Sequence, residues 1–397
     1  MSFPFWQENL IDPFTKLNKP GFCCQSVSRA RNFMTQQTSP NTASTNPGLT
    51  QHSELLSTPT LDSLAYWKAG AKELKSFRGH TQEIWSVAFS PDGLSLASGG
   101  NDRFIRIWDI ETGRLLRSLR GHTQVVREVK YSPDGQMVAS ASEDRTIRLW
   151  NPQTGETLRL LFTRYDHAVC SISFSPDGLM LARAGQNKDI KIWEVTTGTE
   201  LMTLLGKDQY DHNWSVCTAF SPDGIHLVAG TDIGKIKLYE VLPSGEEKIV
   251  HNGHWRDEAD DEATENRGFY VDDQGGFQKP MEYWIGALTF TPDGGTMISG
   301  SRDCTIKFWD MPTLEERRTL KGHSEWVRNL LVAQDGQVLI SASDDGTVKM
   351  WDIQTGRQFR TLKSHKGPIR GIALSSDGKY LATAGNDRII TLWEGGE

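Results

Sequence analysis

"GHTQEIWSVAFSPDGLSLASGGNDRFIRIWD", residues 79–109, decides how the chain is read, because it returns. "GHTQVVREVKYSPDGQMVASASEDRTIRLWN" (121–151) and "GHSEWVRNLLVAQDGQVLISASDDGTVKMWD" (322–352) repeat its order of residue types. Anchored on the closing aromatic, the copies end at Trp108, Trp150, Trp193, Tyr239, Trp309, Trp351 and Trp393, with spacings of 42, 43, 46, 70, 42 and 42. Recurrence at 20 to 50 residues marks an architecture in which each unit buries its apolar face only against its neighbours. There are seven units here, and one is stretched.

Within a copy, "IWSVAF", "LSLAS" and "FIRIW" alternate with the period of two that a strand needs. "SPDG" between them suits a type I turn, with proline presetting φ at the second position and glycine at the fourth. It stands intact at Ser90–Gly93, Ser132–Gly135, Ser175–Gly178 and Ser221–Gly224. The "TG" of "ETGRLLRSL", "PQTGETLRLL" and "IQTGRQFRTL" opens the next hairpin. Four strands per copy and seven copies predict an all-β chain, a seven-bladed β-propeller of four-stranded antiparallel blades.

Gly-His at the start of a copy, Trp-Asp at its end and "SPDG" between resemble the WD-repeat β-propeller family, and the resemblance covers residues 72–394. It implies that each repeat supplies the outer strand of one blade and the inner three of the next. The last repeat stops at "IITLWEGGE" with three strands, while "KELKSFR" (72–78) stands alone before the first Gly-His. This N-terminal strand is expected to complete the last blade and close the ring, removing the edges that make open sheets associate.

Two segments lie outside the beat. Residues 1–70 are expected to be a flexible tail: 35–63 are mostly Ser, Thr, Asn, Gln and Pro, too poor in apolar surface to fold alone, behind an aromatic start (Phe3, Phe5, Trp6, Phe14, Phe22). The propeller is assigned to 71–397. The other segment is the insertion at 255–282 in blade five, with nine acidic and three basic side chains, most of the chain's net charge of −7. Nothing in that balance favours a polyanion, so no nucleic-acid partner is expected. No run approaches the ~18 apolar residues of a membrane span, and no secretory signal is apparent, which makes the cytoplasm the default compartment. Five scattered cysteines without metal-ligand spacing read as reduced thiols.

Ser98, His80 and Asp102 look like a hydrolase triad, but the set recurs as His122, Ser140 and Asp144; as His323, Ser341 and Asp345; and as His365, Thr383 and Asp387. A catalytic centre is needed once, not four times. The family resemblance implies instead a buried hydrogen-bond chain ending on the indole N–H of Trp108, Trp150, Trp351 and Trp393, each bond stabilising by roughly 0.5–1.5 kcal/mol. In copy three Arg183 and Asn187, and in copy four Ala229, Ile233 and Tyr239, replace members of the set. No nucleotide loop or calcium loop appears, so no catalytic residue, cofactor or metal is assigned.

The loop from Gly-His to the first strand opens on the face where the family usually docks partners. Six residues before the aromatic or aliphatic that precedes each turn come Trp214, Trp284 and Trp326, on blades four, five and six; four before it come Trp85, Arg127, Arg328 and Arg370. Trp and Arg are the residues most enriched among interface anchors. Two readings stand for the tryptophans: exposed anchors, or strand-start residues packed between blades. Two also stand for the acidic insertion: an internal competitor lying over the arginines, or a solvated loop. The function expected is a non-catalytic, monomeric scaffold binding other proteins, acidic or phosphorylated segments among them. A ligand-binding or metal-dependent enzyme using the central channel is the alternative.

Overall fold

The computed structural model describes residues 61–396 except 163–167, 187–188, 205–214, 242–246, 251–269, 272–276, 279–283 and 364. Seven four-stranded antiparallel sheets form the ring. Blade 1 runs Ile84–Phe89, Ser95–Gly100, Ile105–Asp109 and Leu115–Leu119, innermost strand first. Blade 7 joins Ile369–Leu374, Tyr380–Gly385 and Ile389–Gly395 to the N-terminal strand Ala71–Arg78, which pairs antiparallel with the last strand from Ala71↔Gly395 to Arg78↔Ile389. The ring is closed as its sequence implies. Seven apolar clusters fill the spaces between sheets, each shared by two adjacent blades; Phe77, Ile84, Trp108 and Ala382, for example, join blades 7 and 1. Inside the insertion, Tyr270–Val271 pairs with Phe277–Gln278.

The turns between the first two strands of each blade form a second ring. Ser90, Ser132, Ser175 and Ser375 each donate Oγ–H to the aspartate two residues on, at 2.5–2.6 Å, and each following glycine takes a positive φ. The proline of one turn packs against the glycine of the next: Pro91 on Gly135, Pro133 on Gly178, Pro176 on Gly224. Blade 6 departs from this, because its turn is Ala333-Gln334-Asp335-Gly336, with neither hydroxyl nor proline.

That departure is filled from the N-terminus. The expected tail through residue 70 differs at its end: Ser63–Ala69 is a helix, N-capped by Asp62, whose side chain accepts from Ala65 N–H at 2.9 Å. Ser63 donates its backbone N–H and its hydroxyl to Asp335, at 2.7 and 2.6 Å, supplying the hydroxyl that Ala333 lacks. Leu61 sits beside Gly378, where five other blades place a proline beside the turn glycine. Trp67 is fully buried. A third substitution completes the set. Outer-strand cations reach the next blade's turn carbonyls, as Lys75 does to Ile110 and Glu111, Arg117 to Gln153 and Arg318 to Ile353. Between blades 6 and 7 Arg360 instead binds the carbonyls of Trp67 and Lys68, at 2.8 and 3.0 Å. The segment 61–70 thus stands in for the connection that blade 7 loses by being built from both ends of the propeller.

Candidate functional site: the channel mouth

The innermost strand of every blade carries a register shift near its start, between Ile84 and Ser86, Val126 and Glu128, Val169 and Ser171, Ser215 and Cys217, Ile285 and Ala287, Val327 and Asn329, and Ile369 and Gly371. The residues within the shifts are Trp85, Arg127, Cys170, Val216, Gly286, Arg328 and Arg370. A bulge re-aims its side chain, and here seven of them line one cavity of about 580 Å³ at the channel. Counting back from the turns in the sequence finds these positions but not the bulges that make them a set.

The set is lopsided. Blades 6, 7, 1 and 2 present three arginines and a tryptophan held in one network. Arg328 donates Nε and a terminal N–H to Asp344, at 2.9 and 2.7 Å; Arg370, from the next blade, reaches the same carboxylate at 3.0 Å and Asn386 at 3.1 Å. Arg127 pairs with Glu143, and Trp85 donates its indole N–H to Asn101 at 2.8 Å. The guanidiniums of Arg127 and Arg370 lie 4.0 and 4.8 Å from the Trp85 ring, and that of Arg328 lies 3.3 Å from the Trp326 ring. At the same position blades 3, 4 and 5 carry the smaller, uncharged Cys170, Val216 and Gly286.

Burial lowers the Arg328 pKa to about 10, opposed by its bonds to Asp344 and reinforced by Arg370 and Arg127. Burial likewise lowers that of Arg370. It pushes the Cys170 thiol up to about 11, so no thiolate is present there at neutral pH. Among the described residues no three His, Cys, Asp or Glu converge as a metal set.

Trp326 is not an exposed anchor. Its ring is 9% exposed, stacked edge-on at 5.5 Å to the half-buried Trp284. The cause is Gly286: a Cβ there would stand 2.5 Å from the Trp326 indole nitrogen, so only glycine lets the ring tuck under the neighbouring bulge. Trp214 lies outside the described residues, as does most of the insertion. The sequence reading misses Asn101, Glu143, Asp344 and Asn386, each 16 residues after its partner. Their signal is positional: each directly precedes the recurring aspartate.

The triad-like residues form the expected chains behind this surface. Trp108, Trp150 and Trp351 donate N–H to Ser98, Ser140 and Ser341, at 2.8 Å each. Those hydroxyls lie 2.7–2.8 Å from Nε2 of His80, His122 and His323, whose Nδ1 atoms lie 2.7–3.0 Å from Asp102, Asp144 and Asp345. Trp393, Thr383, His365 and Asp387 repeat the chain at 3.2, 2.8 and 2.9 Å. In blades 2, 6 and 7 the network assigns the Nδ1–H tautomer, with Nε2 accepting from the hydroxyl; in blade 1 the Arg106 guanidinium also lies 2.6 Å from His80 Nδ1 and donates to Asp102 at 2.7 Å. In blade 3 Arg183 instead pairs with Asp189, in the interior, at 3.3 Å.

A closed ring of seven four-stranded blades, four of them stapled internally by the same hydrogen-bond chain, defines a repeat propeller. The chain belongs to the WD-repeat family (WD domain, G-beta repeat), whose model matches residues 71–109, 113–151, 158–194, 279–310, 314–352 and 356–394. Residues 195–278 fall between matched segments; they hold the repeat with Ala229 and Tyr239, and most of the insertion. Among similar proteins, the translation initiation factor 3 subunit I of Aspergillus oryzae is 36% identical over 52 residues, 13% of this chain and 16% of that one. The same subunit of Emericella nidulans is 39% identical over 49 residues, 12% and 15%. The ribosome biogenesis protein ERB1 of Debaryomyces hansenii is 41% identical over 73 residues, 16% and 9%. The chain thus spans less than a fifth of the length of these relatives. No helix among the described residues is long and apolar enough to cross a membrane.

Proposed function

We propose that the chain is a non-catalytic scaffold that holds a partner protein at the channel mouth. The observation that carries this is the lopsided bulge set: a cationic-aromatic half, Trp85, Arg127, Arg328 and Arg370, and a half with the smaller, uncharged Cys170, Val216 and Gly286, lining one cavity. Trp284 and Trp214 lie two residues before Gly286 and Val216 in sequence and belong to the proposed contact; Trp326 supports it from beneath. Two guanidiniums sharing Asp344 favour an acidic or phosphorylated partner group, which must share or displace that carboxylate. A single anionic group suits the site better than a charged tract, because Glu143 and Asp344 already offset much of the positive charge. The His-Ser-Asp sets recur, and each is bonded to a tryptophan rather than open to substrate, which supports a structural role for them.

The aligned stretches of the relatives are one or two repeats long, so they speak first for the repeat. Translation-initiation and ribosome-assembly proteins are nevertheless the first partners to look for. The test is Val216→Arg, at a position where three other blades already carry arginine, so the bulge tolerates it. The variant should melt like the wild type and lose captured partners by at least tenfold in quantitative affinity purification. Undiminished capture would refute the mouth as the binding surface.

A further inference from the structure

A second set of bulges lies on the outside of the ring. In the outer strand the register shifts opposite the closing tryptophan, between Glu73 and Lys75 in blade 7, Leu115 and Arg117 in blade 1, Thr157 and Arg159 in blade 2, and Glu200 and Met202 in blade 3. The residue inside each shift is leucine. Leu74, Leu116, Leu158 and Leu201 are 37, 45, 46 and 48% exposed, on four consecutive blades. Leu115 and Phe162 on the outer strands of blades 1 and 2 are exposed as well. On blade 5 the equivalent position is Arg317, and on blade 6 it is Phe359.

Phe359 shows what covers such a residue. It packs in the cluster that contains Trp67 of the N-terminal helix, with Lys68 5.6 Å from its ring. The chain covers the blade 6 position with its own helix and leaves the four leucines uncovered among the described residues. An exposed run of leucines on successive units marks an interaction surface. The bulges also interrupt the outer edge, which disfavours β-strand addition and favours side-chain docking.

Charge selects the partner. The outer-strand segments 71–78, 114–120 and 156–162 carry Lys72, Lys75, Arg78, Arg114, Arg117, Arg120 and Arg159 against Glu73 and Glu156, with Lys72 paired to Glu394 at 3.2 Å, while the blade 3 strand Glu200–Leu204 adds Glu200 and no cation, on a chain whose net charge is −7. Lys75, Arg117 and Arg159 direct hydrogen bonds to backbone carbonyls, which neutralise no charge. We infer that the leucine belt of blades 7, 1, 2 and 3 docks an acidic amphipathic helix of a partner protein, with apolar residues on the leucines and carboxylates on the flanking cations. This surface is separate from the channel mouth and does not depend on the function proposed there.

The test uses the full chain and a 16-residue helical probe with leucines at i, i+3, i+4 and i+7 spacing and glutamates elsewhere, beside the same peptide with lysines for glutamates. Fluorescence anisotropy should show saturable binding of the acidic peptide that weakens at least tenfold in Leu116→Ser/Leu158→Ser and several-fold between 50 and 300 mM salt. The lysine peptide should bind at least tenfold more weakly. Melting of the double variant should match the wild type, since both leucines are exposed, and Val216→Arg should bind the probe normally. Failure of the acidic probe to bind, equal binding of both peptides, or binding unaffected by the leucine substitutions would overturn the inference. So would leucine-dependent binding to vesicles of 30% anionic lipid in place of the peptide, or leucine-dependent self-association of the chain.

Discussion

Trp67 donates its indole N–H to the carbonyl of Gly378 at 3.0 Å, across 311 residues of sequence, and is buried completely in doing so. The bond joins the N-terminal helix to the turn of blade 7. With Ser63 on Asp335 and Arg360 on the helix carbonyls, it closes the seam where the two ends of the propeller meet. Trp67→Ala is therefore expected to destabilise the ring by ~3–5 kcal/mol, as a large buried aromatic does. Chains beginning at residues 61, 71 and 79 should melt in descending order, the last aggregating because blade 7 then has an unpaired edge. Equal melting of the chains beginning at 61 and 71 would remove the helix from the closure.

Trp326→Ala should destabilise about as much as Trp351→Ala, ~3–5 kcal/mol each, because both rings are buried. Gly286→Ala should be destabilising too, since the added methyl meets the Trp326 ring and the Val327 carbonyl. Chemical denaturation of the three variants decides this, and a neutral Gly286→Ala would show that Trp326 has room to move.

Ser140→Ala and Ser341→Ala each leave a buried indole N–H and an imidazole nitrogen without the bridging hydroxyl, at a cost of ~1–3 kcal/mol. Ser140→Thr should recover most of the loss, as blade 7 already uses Thr383 in that place. Melting of the alanine and threonine variants side by side checks the claim.

The staples also set a pH dependence. Burial alone would raise the Asp102, Asp144 and Asp345 carboxyls, but the hydrogen bonds and charge of the partner histidines, together with neighbouring backbone N–H and side-chain donors, jointly outweigh it and hold all three well below the usual range. A depressed carboxyl stabilises the fold above the unfolded value near pH 4, and that stabilisation is lost as pH falls toward the folded value. His80 is lowered chiefly by burial, so below about pH 6.5 the unfolded chain binds the proton more readily and stability falls. Melting temperature should decline slightly from pH 7 to 5 and steeply below 4. His80→Gln should start less stable and lose part of the shallower decline.

The fold is legible in the sequence because its turn chemistry and its alternation recur in register, so an error in one copy is corrected by six others. The staples are legible for the same reason. The seam helix is not: Ser63–Ala69 is too short for periodicity and occurs once. Its trace is the loss of Ser and Pro at Ala333 and Gln334, which makes sense only beside Ser63 and Leu61. At the mouth, counting from the turns locates Trp85, Arg127, Arg328 and Arg370, but burial depends on the neighbouring blade. Trp326 is hidden because residue 286 is glycine, a relationship between positions 40 apart that no local pattern carries.

The most direct test of the mouth as the binding surface is amide hydrogen exchange of the full chain with and without a captured partner. Slowed exchange is predicted at the bulge segments around residues 85, 127, 170, 216, 286, 328 and 370, with the turns at 90–93, 132–135 and 175–178 unchanged. Protection confined to those turns, or absent from all seven bulge segments, would contradict the account.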